Sequence, residues 1–227
     1  MHRAAFCLAL AVHVQATAQV SGIVALVSDY LYRGVTLSDG KPVPQLTLVY
    51  DHPDGWYLGT FASRIRQFGA ESGNSYVSYA GYARRMASGN SWEAGVSSYA
   101  FPASSGLNFQ EVYAGLATQR VSGRVSYSPN YLFPGMRTVY GEISTSEPLG
   151  DRLSLFAHAG YLNSLREGEN HRPIRRTDAR IGLGTSVDGW EAQLAWAGVR
   201  QRRIIGPAYG VPNGVSASLV LSLKRNF

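Results

Sequence analysis

The chain has one cysteine, Cys7, and it lies in the first stretch of the sequence. No disulfide within the chain and no cysteine metal site can be built from it. Charged residues are scarce, 16% of 227. No apolar run reaches the roughly 20 residues that a membrane helix needs. A membrane-spanning form of this chain therefore has to be a barrel. Lysine is nearly absent, since 19 of the 21 basic residues are arginine. Metal-ligand clusters, phosphate loops and glycine-rich nucleotide signatures are missing, so no metal and no cofactor are expected.

What is plentiful is glycine, with 25 residues, and tyrosine, with 14. Abundant Gly and Tyr with few charges suit a barrel wall better than a helical enzyme. Met1-His2-Arg3, the apolar stretch Ala4 to Val14 and then Ala16-Thr17-Ala18 have the order of a secretory signal peptide. Cleavage is predicted after Ala18, which divides the chain into a signal peptide, 1–18, and a single domain, 19–227. The net charge of +6 and pI of about 9.5 raise nucleic acid as a partner. The arginine excess on the loops of an exported protein points instead to lipopolysaccharide phosphates, because arginine pairs well with phosphate.

The C-terminus sets the fold class. Val215, Ala217, Leu219, Leu221 and Leu223 alternate with Ser216, Ser218, Ser222 and Lys224, and the run ends on Phe227. A two-residue period means a strand with one apolar and one polar face. A terminal aromatic on the apolar face fits a transmembrane barrel, where it sits at the interface as a terminal assembly signal. About twelve strands follow from the pattern: Val20–Arg33, Val43–Tyr50, Trp56–Ile65, Ser75–Arg85, Ser91–Phe101, Asn108–Thr118, Val121–Tyr131, Arg137–Ser146, Arg152–Leu162, Thr177–Val187, Trp190–Arg200 and Val215–Phe227. Their connections alternate between short and long. Short periplasmic turns and long outer loops around an even strand count are the outer-membrane pattern. A soluble sandwich with Greek-key links would not sort them so. The expected fold is an all-β, antiparallel, up-and-down transmembrane barrel.

With the apolar face towards lipid, mid-strand charges fall inward. The expected pore lining is Asp29, Arg33, Arg64, Arg84, Glu93, Glu111, Arg124, Glu142, His158, Asp178, Arg180, Glu191 and Lys224. On the third, fourth and seventh strands the charge itself chose the face. Trp56 then shares the face of Arg64 unless a bulge intervenes. Asp29 and Arg33 share a face if the first strand runs through both. Such charges either form an ion-pair ladder that fixes register or line a selective pore. An outer-mouth basic group is expected from Arg166, Arg172, Arg175, Arg176, Arg202 and Arg203. Trp56, Trp92 and Trp190 follow short turns, and Tyr30, Tyr32, Tyr99, Phe101, Tyr131 and Tyr161 lie near the other strand ends, as two aromatic girdles require.

Acyl chemistry needs a histidine beside a nucleophile. Ser154, the nearest same-face serine to His158 on its own strand, is roughly 13 Å away, so a nucleophile would have to come from another strand. No enzyme is expected.

The segment Ser21–Gly34, with its Ser28-Asp29-Tyr30-Leu31-Tyr32-Arg33-Gly34 core, resembles the opening of the TorF-type porins of proteobacteria. Ser38–Pro42 and Asp54–Gly59 also look like that family. The resemblance is specific over the first third of the chain and diffuse beyond. It implies an outer-membrane barrel of porin type and carries no catalytic residues. The expected function is a porin-like channel for passive diffusion of small polar or anionic solutes. The alternative is a non-conducting structural or adhesion barrel with an ion-paired lumen. Expected partners are outer-membrane lipids, lipopolysaccharide, the barrel-assembly machinery and small polar solutes, with no nucleic acid.

Overall fold

The computed structural model describes residues 18–66, 73–166, 173–202 and 214–227. The expected signal peptide, 1–18, lies almost entirely outside them. Twelve strands close into one antiparallel barrel: β1 (Gln19–Val27), β4 (Val43–Asp51), β5 (Trp56–Ile65), β6 (Gly73–Arg85), β7 (Ser91–Ala100), β8 (Phe109–Ala117), β9 (Val121–Ser128), β10 (Arg137–Pro148), β11 (Leu153–Arg166), β12 (Arg175–Val187), β13 (Trp190–Arg202) and β14 (Gly214–Asn226). Two further short strands, β2 (Leu31–Tyr32) and β3 (Val35–Thr36), form a separate hairpin.

Each strand pairs with its neighbour in sequence, and β1 pairs with β14 to close the ring. At the seam the Gly22 amide donates to the Phe227 carbonyl at 2.9 Å, and the Phe227 amide donates back to Gly22 at 2.9 Å. The Phe227 ring lies where a side chain on Gly22 would stand. Five tight turns cap one end of the barrel. The tightest is Asp188-Gly189, with φ of 51° and 80°, the backbone that a two-residue hairpin requires.

The period-two pattern becomes two faces. On β8, Phe109, Glu111 and Tyr113 are buried and alternate with exposed Gln110, Val112 and Ala114. The outward face is apolar around the ring, with Val96, Val112, Leu116, Ile143, Leu183, Leu194 and Leu221 among its exposed side chains. An apolar band of that extent has to be covered, and each such side chain gains about 1.5–3 kcal/mol on leaving water. Inside, tyrosines lie flat against glycines of neighbouring strands: Tyr79 on Gly59, Tyr57 on Gly81, Tyr113 on Gly95 and Tyr140 on Gly160. A Cβ at these positions would collide with the ring, so each of these four tyrosines needs a glycine beside it.

The structure corrects four expectations. The first strand ends at Val27, not Arg33. Arg64 and Arg84 face outward near strand ends, on the face shared by Trp56 and Leu58 on β5 and by Tyr76 and Ala80 on β6. No bulge is needed, because charge near a strand end costs little. Arg175 and Arg176 belong to β12, not to a loop. Of the aromatics expected in the second girdle, only Tyr161 points outward. Phe101 and Tyr131 are buried inside with Phe109, Met136, Leu162 and Ile174, and Tyr30, Tyr32 and Tyr99 pack against that cluster. The girdle at the short-turn end does form: Trp56 packs on Tyr82 (5.1 Å) and Tyr82 on Trp92 (5.7 Å), all outward.

Candidate lumen site

The segment between β1 and β4 folds back into the barrel. Its base is organised by Asp29, a buried carboxylate that accepts hydrogen bonds from the Thr36 hydroxyl (2.6 Å), the Ser38 hydroxyl (3.0 Å) and the Gly40 amide (3.3 Å). Asp29 therefore holds its own loop rather than lining the cavity described below. From this base the β2–β3 hairpin projects inward and turns at Arg33-Gly34, with φ of 49° and 75°. Arginine in a left-handed conformation costs about 1 kcal/mol or more. Glycine at the next position is required twice over. Its φ is positive, and a Cβ there would lie 2.7 Å from Asp178 Cβ and 2.8 Å from Val199 Cβ.

The strain at Arg33 is offset at the tip. The guanidinium donates to both oxygens of Glu111 on β8, at 2.9 and 2.8 Å. It lies 4.0 Å over the Tyr140 ring. Both charged side chains are buried, at 6% and 2% exposure. Tyr32 packs on Tyr99 at 5.5 Å and Tyr30 on Phe61 at 5.6 Å. Burial pushes the Tyr30 and Tyr32 phenols well above their ordinary range, with Arg33 pulling Tyr32 the other way. The hairpin thus reaches from β1 to a strand nearly opposite in the ring.

On the short-turn side of the tip lies a cavity of about 440 Å³. Its wall includes Arg33, Glu111, Arg124, Glu142, His158, Asp178 and Arg180, which were named from the sequence, and Tyr79, Tyr113, Tyr140 and Ser144, which were not. Several of the charges inside the barrel are paired across strands. Arg124 Nε donates to Glu93 at 2.9 Å, and the Tyr57 hydroxyl donates to the same carboxylate at 2.9 Å. Lys224 meets Glu191 at 3.1 Å, apart from the cavity wall. Arg180 lies 5.2 Å over the Phe156 ring.

His158 has a serine partner after all. Ser144 Oγ is 3.0 Å from His158 Nδ1, and His158 Nε2 is 3.0 Å from Asp178 Oδ1. Ser144 stands directly opposite His158 in the β10–β11 register. The pairing follows from a three-residue turn, 150–152, flanked by Leu149 and Leu153, from which five equal steps reach Ser144 and His158. Glu142 Oε2 lies 3.9 Å from the same Nδ1.

The expected basic mouth group divides. Arg176 is buried, and its Nε donates to Gln201 at 2.9 Å. Arg166 and Arg175 are exposed at strand ends. Arg172 and Arg203 lie outside the described residues, as does the Arg202 side chain. Removing Asp29, Arg64 and Arg84 from the predicted lining leaves five acidic residues against four basic ones, with His158 beside them.

Among solved structures, this barrel is similar to the KdgM porin, at 13% identity and a TM-score of 0.56 over 93% of this chain and 99% of that one. It is similar to the KdgM porin in complex with disordered oligogalacturonate, at 11% and 0.52 over 93% and 99%. It is also similar to the COG4313 outer membrane channel from Pseudomonas putida F1, at 13% and 0.51 over 95% and 97%. At these identities the likeness is one of fold. No curated protein matches the sequence. A family model, Gcw_chp, described as a bacterial protein of unknown function, matches residues 12–227, and the chain belongs to that family.

Proposed function

We propose that this protein is an outer-membrane channel of porin type, passing small polar solutes through a lumen narrowed by the β2–β3 hairpin. The observation that carries the reading is a closed twelve-strand ring, apolar outside, around a cavity walled by charged and phenolic side chains. The solved barrels of like fold include a porin and an outer membrane channel, and the opening segment's resemblance to TorF-type porins points the same way. The wall lacks the cationic excess that would select anions, so anion preference has to come from arginines at the long-loop rim. The likeness to a porin complexed with an oligogalacturonate makes acidic sugars the first solutes to try.

A second reading, a non-conducting barrel, is favoured by the apolar cluster above the hairpin and by the paired interior charges. The Ser144–His158–Asp178 chain is read as wall structure. The Glu142 carboxylate beside it would oppose an oxyanion, whereas acyl transfer needs donors there.

Planar-bilayer recording of refolded protein separates the two. The comparison is between the wild type and a variant in which residues 30–36 are replaced by a short Gly-Ser link. Heat-modifiable gel mobility confirms folding of both. Conductance steps that appear or grow in the variant support a channel narrowed by the hairpin. Silence in both means a closed barrel.

A further inference from the structure

The outward face carries a feature that solute passage does not use. Arg137 and Arg166 stand opposite each other at the long-loop ends of β10 and β11. Arg175 stands opposite Arg202 at the same end of β12 and β13, and Arg200 pairs with Thr177 just inside. These four strands are consecutive in the ring, so the arginines form one arc.

Arg137, Arg166, Arg175 and Arg200 are all exposed. Their facing follows from alternation. Thr138, Arg176, Val199 and Gln201, each next to one of them in sequence, are buried inside. The register shift between Arg137 and Thr138 sets Arg166 opposite Arg137, on the outward side.

Like charges directly opposite on paired strands repel, as Arg137 and Arg166 do here, and Arg175 and Arg200 stand on the next two strands. Among the described residues, no carboxylate lies within ion-pair distance of Arg137, Arg166, Arg175 or Arg200. An anion from outside the chain can relieve that repulsion. Just below the arc the outward face turns aromatic and apolar. Tyr161 lies opposite Thr177, and Trp196 lies between Ile181 and Leu219, all exposed except Thr177's neighbours inside the wall. The arc covers three interstrand steps, about 14 Å. A ligand that suits both levels joins more than one phosphate to acyl chains.

We propose that the rim of β10–β13 is a binding site for a bisphosphorylated glycolipid of lipid A type. The phosphates sit on Arg137, Arg166, Arg175 and Arg200, whose planar forks match phosphate oxygens. The acyl chains lie on Tyr161, Trp196 and Leu219. The site rests on the reading that this barrel spans the outer membrane with its long-loop end outward.

The test is lipid retention by folded protein in detergent, read by native mass spectrometry. The probes are lipid A, its dephosphorylated form and inorganic phosphate. Wild type binds lipid A at least about tenfold more tightly than the dephosphorylated lipid. The variant R137Q/R166Q/R175Q/R200Q loses that preference, and the corresponding lysine variant keeps part of it. Equal retention of the two lipids by wild type, or an unchanged preference in the glutamine variant, overturns the site. Inorganic phosphate that displaces the lipid at comparable concentration marks a free-anion site and overturns the lipid assignment. Heat-modifiable mobility reports folding, and the pairs R137Q/R166Q and R175Q/R200Q carry the same comparison should the fourfold variant not fold. Membrane fractionation separates the two failures. Wild type found in the outer membrane but indifferent to lipid A removes the site alone, and wild type absent from that membrane removes both readings.

Discussion

Arg33 and Glu111, 78 residues apart in sequence, meet fork to fork inside the barrel and hold the tip of an inward hairpin against the far wall. Removing one partner of such a buried pair leaves an uncompensated charge, which costs about 3–5 kcal/mol. Arg33→Gln and Glu111→Gln are each expected to release the hairpin tip and to lower the unfolding midpoint in detergent by an amount in keeping with that cost. The double variant R33M/E111L is expected to lose much less, because neither charge is stranded. A double-mutant cycle from urea titrations checks this, and additive losses would mean that the two residues do not act as a pair.

The tyrosine–glycine contacts predict a sharp difference between adjacent glycines. A Cβ on Gly160 would meet the Tyr140 ring and the Asp178 carboxylate, whereas one on Gly141 meets nothing within 4 Å. Gly160→Ala is expected to destabilise the barrel by about 1–3 kcal/mol through overpacking. Gly141→Ala is expected to change it by less than about 0.5 kcal/mol. Unfolding titrations of the two refolded variants, side by side, decide the matter.

At the seam, the Phe227 backbone and the Phe227 ring make separable contributions. Phe227→Ala keeps both backbone bonds to Gly22 and loses the ring. It is expected to fold in vitro with a loss of about 1 kcal/mol or less, since the ring is 68% exposed. If the residue is an assembly signal, the same variant accumulates poorly in the outer membrane of cells. Matching heat-modifiable fractions in vitro and in membranes would remove that role.

Ser144 is expected to remain unlabelled by a fluorophosphonate probe. Ser144→Ala should cost about 1 kcal/mol of stability, the worth of one hydrogen bond, and should alter no activity. Labelling that disappears in Ser144→Ala would turn the Ser144–His158–Asp178 chain into a nucleophilic site.

The ring itself was legible because alternation and turn spacing are local properties. Trp56–Ile65 was predicted with the bounds it has. The inward hairpin was not legible, because Ser28–Arg33 continues the alternating pattern of β1 and no Gly or Pro interrupts it before Gly34. What ends the strand is the Asp29 carboxylate, which collects donors from Thr36, Ser38 and Gly40 further along. Arg64 and Arg84 face outward, although charge alone assigns them to the lumen. At strand ends the penalty on charge fades, and Trp56 and Tyr76 are the better guides. The His158 contact to Ser144 needed register, and the strand ends expected at Ser146 and Arg152 pair Ser144 with Ser154 instead, because β10 runs on to Pro148.

The hairpin also constrains the order of assembly. Its tip bears on β8, β12 and β13, and the apolar cluster of Leu37, Tyr131, Phe133 and Met136 packs beside it. Entry after the β1–β14 seam had shut would require parting that cluster. Residues 30–38 are therefore expected to tuck inside while the wall is still an open sheet. Docking of the tip before closure gives the nascent ring a template around which to bend.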